Sequence, residues 1–199
     1  MRAAVIAVSL IVASTASSVS LGETAPTRVR GTIAEINGDT VEVQTRRGQI
    51  AVHLEDKTPI VAVANAKLSD LKPGRFIGTT AAPQPDGTLK ATEIHAFPES
   101  MRGTGEGHYA WDVGESSTMT NGSIGTFTGS SGHTMTVTYN GGEKTVVIPD
   151  DVRVVDLRPG DRTLLKPGAH VYAVGPKAAD GSVSALRFYV GENGVVPPM

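Results

Sequence analysis

The tetrapeptide Leu71-Lys72-Pro73-Gly74 recurs 94 positions later, as Leu165-Lys166-Pro167-Gly168, in a chain of 199 residues. Internal repeats of this kind set the architecture of a chain. The same offset relates two further pairs of turn residues, Asp86-Gly87 to Asp180-Gly181 and Gly31-Thr32 to Gly125-Thr126. Because these residues keep one register without a gap, the sequence predicts two copies of one unit.

Both copies have the pattern of short β-strands. Apolar residues alternate with polar ones at Val41 and Val43 in the first copy and at Met135 and Val137 in the second, and glycine-containing turns follow. An alanine-containing stretch at 60–71 favours a short helix after the third strand of the first copy. The predicted fold class is therefore all-β, with two tandem small OB-like Greek-key barrels. A pair of small sandwiches is the alternative that the same strand pattern permits.

The ends of the copies and the composition between them divide the chain into four parts. We expect a signal peptide at residues 1–22, a first barrel at 23–97, an irregular Gly/aromatic connector at 98–122 and a second barrel at 123–199. Residues 1–22 begin with Met1-Arg2 and continue with an apolar run that is too short for the roughly 20 residues of a membrane span. The mature chain is thus predicted to be periplasmic or secreted, with no membrane span after signal cleavage.

Charge and cysteine content exclude several classes of function. The chain has 18 Lys and Arg against 20 Asp and Glu, and this balance argues against nucleic acid as a partner, which requires clustered positive charge. With Cys 0 in the composition, the chain has no disulfides, no thiolate metal ligands and no cysteine nucleophile. Export without cysteine favours a bacterial periplasm.

The turn motifs of the two copies, together with Met101-Arg102-Gly103-Thr104-Gly105-Glu106-Gly107-His108 between them, resemble a family of exported bacterial proteins with OB-like repeats, a domain of unknown function. The resemblance covers most of the mature chain. It implies the barrel fold, and it implies a link to metal transport, because relatives are sometimes labelled as metal ABC transporter components.

Candidate site residues lie in the connector. It contains His108, Tyr109, the single tryptophan Trp111 and Asp112, and a plain linker rarely includes such aromatic side chains. These four residues are the predicted ligand-binding set, unless the aromatic rings only fix the connector between the barrels. Glu106, His108 and Asp112 are the predicted ligands of a divalent metal, although zinc requires three or four convergent ligands. Glu93 and His95 alternate on a strand and offer a further pair.

The functional expectation is a non-catalytic binding or interaction module with no cofactor other than a divalent metal. OB-like barrels present a curved strand face with flanking loops, which suits a protein, peptide or saccharide ligand. The alternative is a metal-handling accessory protein of a periplasmic transport system. No nucleophile, base and orienting group are spaced as a catalytic set, so the chain is not predicted to be an enzyme.

Overall fold

The computed structural model describes residues 26–128 and 133–197, and it confirms the all-β class. The strands of the first copy are β1 (Thr27–Asn37), β2 (Thr40–Thr45), β3 (Gly48–His53), β4 (Ile60–Asn65), β5 (Phe76–Pro83) and β6 (Leu89–Ala96). A 3₁₀ turn, Leu68–Asp70, separates β4 from β5. The predicted signal peptide at residues 1–22 lies outside the described residues. No helix in residues 26–128 and 133–197 is long and apolar enough to span a membrane.

The second copy repeats this order of elements after a connector with its own short strand. The connector holds the 3₁₀ turn Glu99–Met101 and β7 (Gly107–Ala110). The later strands are β8 (Thr118–Thr128), β9 (Thr134–Tyr139), β10 (Gly142–Val147), β11 (Arg153–Pro159), β12 (His170–Gly175), β13 (Val183–Ser184) and β14 (Arg187–Gly191), with 3₁₀ turns at Arg162–Leu164 and Glu192–Gly194. The positions of β2 and β3 plus 94 residues are the positions of β9 and β10.

The Leu-Lys-Pro-Gly elements form the predicted turns. Gly74 and Gly168 have φ values of 82° and 87°, in the left-handed region that glycine adopts without strain. The helix expected within 60–71 is wrong, because Ile60–Asn65 is strand β4. This strand pairs with a neighbour on each edge, and four of its six side chains are buried. Tertiary pairing and burial therefore override the local helix propensity of alanine.

The gap-free register is also wrong for the first strand of each copy. Ile33 in β1 lies opposite Val43, whereas Ile124 in β8 lies opposite Val137, the counterpart of Val43. Ile124 thus takes the place of Ile33, so β8 is offset by 91 residues from β1 rather than 94. The equivalent glycines that lie against the backbone of the neighbouring strand are therefore Gly31 and Gly122, rather than Gly31 and Gly125.

Five strands form a small closed barrel. In the order of hydrogen bonding they are β8, β9, β10, β6 and β5, with β5 pairing back to β8. Closure leaves these strands without open edges, which is how small β-proteins avoid edge-to-edge association. We call this closed barrel ring B. Its interior is an apolar cluster that includes Ile77, Ile94 and Met135.

The remaining strands form a second circuit, which we call ring A. Strands β12, β1, β2, β3 and β13 follow one another in hydrogen-bonding order. The Ser184 amide donates to the Pro176 carbonyl at 3.1 Å, which connects β13 to the end of β12. A separate apolar cluster, including Val43, Phe188 and Leu54, fills this ring.

Neither ring is made from one copy alone. Ring A combines β1–β3 of the first copy with β12 and β13 of the second, and ring B combines β8–β10 of the second copy with β5 and β6 of the first. The sheet order therefore departs from the expected separate barrels at 23–97 and 123–199. The physical reason is the antiparallel pairing of β4 with β11 at the centre of the sheet. The chain passes through β4 from ring A to ring B, and it passes through β11 from ring B back to ring A.

The exchange is symmetric about the centre of the molecule. Val63 lies opposite Leu157, and these residues occupy the same position in the two copies. A pseudo-twofold axis therefore passes between β4 and β11. A third apolar cluster lies between the rings and includes both residues of this pair together with Phe76, Phe97, Tyr172 and Tyr189.

Candidate functional site

The connector crosses from ring B to ring A. Strand β7 pairs with β8 of ring B, and His108 lies opposite Thr120 in that pairing. The chain then passes through Trp111, whose amide donates to the Ser117 carbonyl at 2.7 Å. Immediately after it, Asp112 reaches two arginines of β1 in ring A. The predicted site residues therefore lie along a segment that bridges the rings.

Trp111 is half-buried against the apolar cluster between the rings. The guanidinium of Arg28 lies 4.1 Å from the centre of the indole ring, in a cation–π contact, and the Tyr109 ring packs edge-on at 6.0 Å. Because Arg28 belongs to β1, its contact with the indole fixes the connector against β1. This is the structural role that the sequence left open for Trp111.

Asp112 forms a bidentate ion pair with β1. Arg30 Nη1 donates to Oδ2 at 3.0 Å and Nη2 donates to Oδ1 at 2.8 Å, while Arg28 Nη1 lies 3.6 Å from Oδ2. Burial acts to raise the pKa of Asp112, but the hydrogen bonds and charge of Arg30, with Arg28, outweigh it and hold that pKa below its ordinary value. The carboxylate is therefore ionised and occupied by the paired guanidinium groups.

His108 and Tyr109 also bond within the chain. His108 Nδ1 lies 2.8 Å from Thr120 Oγ1, and burial together with the charge of Lys144 lowers the pKa of this histidine. The Tyr109 hydroxyl donates to the Gly105 carbonyl at 3.2 Å, and burial raises its pKa. Tyr109 remains 37% exposed, so part of its ring faces solvent. These contacts explain the local position of both residues, and ligand binding by the four-residue set stays a prediction.

The predicted metal ligands are not brought together. Glu106 Oε1 accepts a hydrogen bond from the Asn140 amide at 2.9 Å, which places it at the β9–β10 turn, whereas Asp112 faces ring A. Within residues 26–128 and 133–197, no group of three His, Asp or Glu side chains has the arrangement of a metal site. The metal set fails because the connector extends along its strand and separates the three side chains.

Glu93 and His95 do share one face of β6, but the two residues have different environments. Glu93 Oε2 pairs with Arg153 at 3.2 Å. His95 is 1% exposed, and its ring packs edge-on against Phe97 at 5.0 Å. Burial lowers the pKa of His95 to about 3, so the imidazole is neutral in the folded protein at neutral pH.

A cleft that the sequence did not indicate lies where the two copies meet. Its volume is about 680 Å³, which is within the range of small-ligand sites. Three segments line it: residues 56–61 after β3, residues 159–163 after β11, and Ser100 with Met101 of the connector. These segments are far apart in sequence and carry no shared motif. The first two meet because β4 pairs with β11, with Val61 opposite Pro159.

The floor and rim of this cleft differ in character. Ile60 and Val61 are buried beneath it, and Met101 and Pro159 add apolar surface. Its exposed rim carries charges of both signs, on Asp56, Lys57, Asp161 and Arg162. Arg162 is held in place by Asp39 Oδ1 at 2.7 Å and by the Leu54 carbonyl at 3.1 Å. The arrangement can accept an apolar group and hold polar groups around it.

The pseudo-twofold axis relates this cleft to a smaller one of about 370 Å³. The smaller cleft is lined by Lys67, Leu68, Asp150 and Val154, among others, which are the counterparts of Asp161, Arg162, Asp56 and Ile60. The connector residues Ser100 and Met101 contribute only to the larger cleft. The two copies therefore supply similar depressions, and the connector makes one of them larger.

Comparison with known proteins gives one family match. No curated protein and no solved structure matches the chain. The segment matched by the family model contains most of β1 and nearly all of β6, so it includes strands that lie in both rings. Residues 30–95 are similar to the family described as Domain of unknown function (DUF5666).

Proposed function

We propose that this chain is a non-catalytic binding module, exported to the periplasm or secreted, with two OB-like rings that together form one ligand cleft. The observation that carries the proposal is the cleft of about 680 Å³ at the joint between the copies and the connector. A cleft of this size with an apolar floor and convergent polar groups is the default form of a ligand site. The predicted signal peptide at residues 1–22 supports the exported location.

The chemistry of the cleft favours a peptide among the ligands considered. Met101, Pro59 and Pro159 offer apolar contacts, whereas the lining contains no aromatic ring on which a sugar could stack. Opposite charges on neighbouring rim residues, Asp56 with Lys57 and Asp161 with Arg162, suit the mixed charges of a polypeptide. The ligand is therefore an extended peptide segment with an apolar side chain directed to the floor.

Blocking the cleft with a bulky side chain tests the proposal. Ser100 is exposed at the middle of the 3₁₀ turn Glu99–Met101 and lines the cleft, so Ser100→Trp should fill part of it. Ser69 is exposed at the middle of another 3₁₀ turn, Leu68–Asp70, and lines neither cleft, so Ser69→Trp is the matched control. The probe is a random heptapeptide library, followed by individual peptides measured by NMR titration.

We expect selected peptides to shift the amide signals of residues 56–61 and 159–163, and Ser100→Trp to weaken binding at least tenfold. Ser69→Trp should bind like the parent chain. Equal affinity in both variants, or shifts confined to 108–112, would refute the cleft as the site. Cell fractionation with amino-terminal sequencing tests export: we expect the chain in the periplasm or the medium without residues 1–22, and a chain found only in the cytoplasm would contradict it.

A further inference from the structure

Three buried polar side chains of ring B each carry an atom without a hydrogen-bond partner among the described residues. The atoms are Thr80 Oγ1, His95 Nδ1 and Asn121 Oδ1, and these residues are 2%, 1% and 5% exposed. We propose that the three side chains form a buried binding site for ordered water in the layer between the rings. This inference concerns the interior of the protein and does not depend on ligand binding in the cleft.

The three side chains lie on adjacent strands and point to one face. Gly78 in β5 pairs with His95 of β6 on one side and with Asn121 of β8 on the other. Thr80 is two residues along β5 from Gly78, so it points to the same face. A Cβ on Gly78 would lie 2.0 Å from His95 Nε2 and 2.4 Å from Asn121 Oδ1. The imidazole and the amide oxygen therefore meet over Gly78, with Thr80 next along the same face.

Burial without a partner is unfavourable for each of these atoms, because the atom loses the hydrogen bonds that it makes to water in the unfolded chain. Native proteins pair the great majority of such groups with protein or with ordered water. Other buried hydroxyls of ring B follow this rule: Thr79 Oγ1 donates to the Glu93 carbonyl at 2.9 Å, and Thr120 Oγ1 lies 2.8 Å from His108 Nδ1. The three atoms near Gly78 are the exception, and a bound molecule supplies their partners.

The hydrogen-bonding chemistry of the three side chains matches water. Asn121 Nδ2 donates to the Thr104 and Gly105 carbonyls at 3.2 and 3.1 Å, so the amide orientation is fixed and Oδ1 requires a donor. The neutral imidazole of His95 has one donor and one acceptor nitrogen, and the Thr80 hydroxyl can act as both. A cation would leave the donors unpaired, and an anion would leave Oδ1 unpaired. Water donates and accepts, so it can serve all three groups.

The equivalent positions of the second copy are apolar or aromatic. At the offset of 94 residues, the counterparts of Gly78, Thr80 and His95 are Tyr172, Val174 and Tyr189. The two tyrosine rings pack on each other at 5.4 Å, and Val174 packs against the apolar cluster between the rings. The polar set is therefore a feature of ring B rather than of the repeat.

The site lies beneath the point where the connector is attached to ring B. Besides its two bonds to carbonyl groups of the connector, Asn121 Nδ2 donates to the Tyr109 hydroxyl at 3.2 Å. One side of this amide thus holds the connector, and the other side faces His95 over Gly78. Water on Oδ1 completes the hydrogen bonding of the side chain that anchors the connector.

Contacts with water in solution test the site directly by NMR of the isotopically labelled full chain. We expect nuclear Overhauser effects between water and both the carbon-bound ring protons of His95 and the methyl group of Thr80, with the sign of a long-lived bound molecule. Ile94 is 0% exposed and faces the apolar interior of ring B, so it is the internal control that should show none. No water contact at either His95 or Thr80 would overturn the proposal.

Two substitutions of similar shape at adjacent residues of β5 test the partner of the Thr80 hydroxyl. Thr79 is 0% exposed and its hydroxyl has a protein partner, so Thr79→Val is the matched control for the loss of a satisfied hydroxyl. Thr80→Val should lower the thermal midpoint about as much as Thr79→Val does, and it should weaken the water contacts of His95. Removing a buried hydroxyl that has no partner is instead favourable. A raised midpoint in Thr80→Val, beside a lowered one in Thr79→Val, would refute the site.

Discussion

His95 is buried in the layer between the rings, where its imidazole packs edge-on against Phe97. Its Nδ1 atom has no hydrogen-bond partner among the described residues, and Gly78 leaves room for its ring, because a Cβ there would lie 2.0 Å from Nε2. The corresponding position in the second copy is Tyr189, which packs on Tyr172 at 5.4 Å. The two copies have thus diverged in the layer between the rings, where one carries an imidazole over a glycine and the other a pair of phenol rings.

The buried imidazole should make stability dependent on pH. In the folded state the pKa of His95 is about 3, against 6.5 for an ordinary histidine, so the unfolded chain binds a proton first as the pH falls. We expect His95 to reduce the free energy of unfolding by about 1.4 kcal/mol per pH unit between pH 6 and pH 4. Urea denaturation of the parent chain and of His95→Leu measures this contribution, which the variant should lack.

An exposed histidine supplies the control for this experiment. His53 is exposed and is the last residue of β3, so His53→Gln serves as the control for a histidine substitution outside the buried layer. If His95→Leu and the parent chain lose stability equally over this range, the buried imidazole is not the cause.

Gly31 and Gly122 test the corrected register at single positions. A Cβ on Gly31 would lie 2.2 Å from the Gln44 carbonyl oxygen, and one on Gly122 would lie 2.4 Å from the Thr138 carbonyl oxygen. Because the obstacle is backbone in both cases, Gly31→Ala and Gly122→Ala should each destabilise the protein by about 1–3 kcal/mol or more. Thermal unfolding checks this, with Gly114→Ala as the control because its Cβ would meet open space.

The comparison with Gly125→Ala distinguishes the two registers. Its Cβ would meet the side-chain hydroxyl of Thr136 rather than backbone, so a milder loss is expected. A loss at Gly125 that equals the loss at Gly31, with a neutral Gly122, would favour the 94-residue offset throughout.

At the scale of elements, the connector contacts both rings, through β8 of ring B and β1 of ring A. Trp111 lies under Arg28 and against the central apolar cluster, so Trp111→Ala should lower the free energy of unfolding by about 2 kcal/mol. It should also speed hydrogen exchange at residues 107–112, where β7 depends on this contact. Val113 is 47% exposed, and Val113→Ala serves as the control. Unchanged stability in Trp111→Ala would contradict this structural role of the side chain.

Sequence patterns predicted most elements, because alternation of apolar residues and glycine turns are local features. They predicted the hairpins β2–β3 and β9–β10 and the Leu-Lys-Pro-Gly turns. They failed at β4, where alanine favours a helix locally and burial on both faces decides for a strand. Sequence patterns also failed in β8. The segment between β8 and β9 is three residues longer than the segment between β1 and β2, and the repeat motifs do not reveal this difference in length.

At the scale of the whole molecule, the exchange could not be predicted from sequence. The partner of Val29 is Ala173, and the equivalent residue of its own copy is Thr79. Thr79 lies in β5 and Ala173 in β12, which are equivalent strands of the two copies. The pattern of apolar residues in the sequence is therefore the same whether β1 pairs with its own copy or with the other. The cleft of about 680 Å³ was not anticipated either, because its lining combines segments that meet through the long-range pairing of β4 with β11.

Strand exchange also determines when the protein can fold. Ring A joins Thr27 to Gly175, so it cannot close until almost the entire polypeptide has been delivered. Pairings this distant in sequence carry a large loop-closure entropy, and such topologies fold in milliseconds to seconds rather than microseconds. Ring B needs no residue beyond Val147, so its barrel can close first, and ring A completes the fold only when its last strands are available.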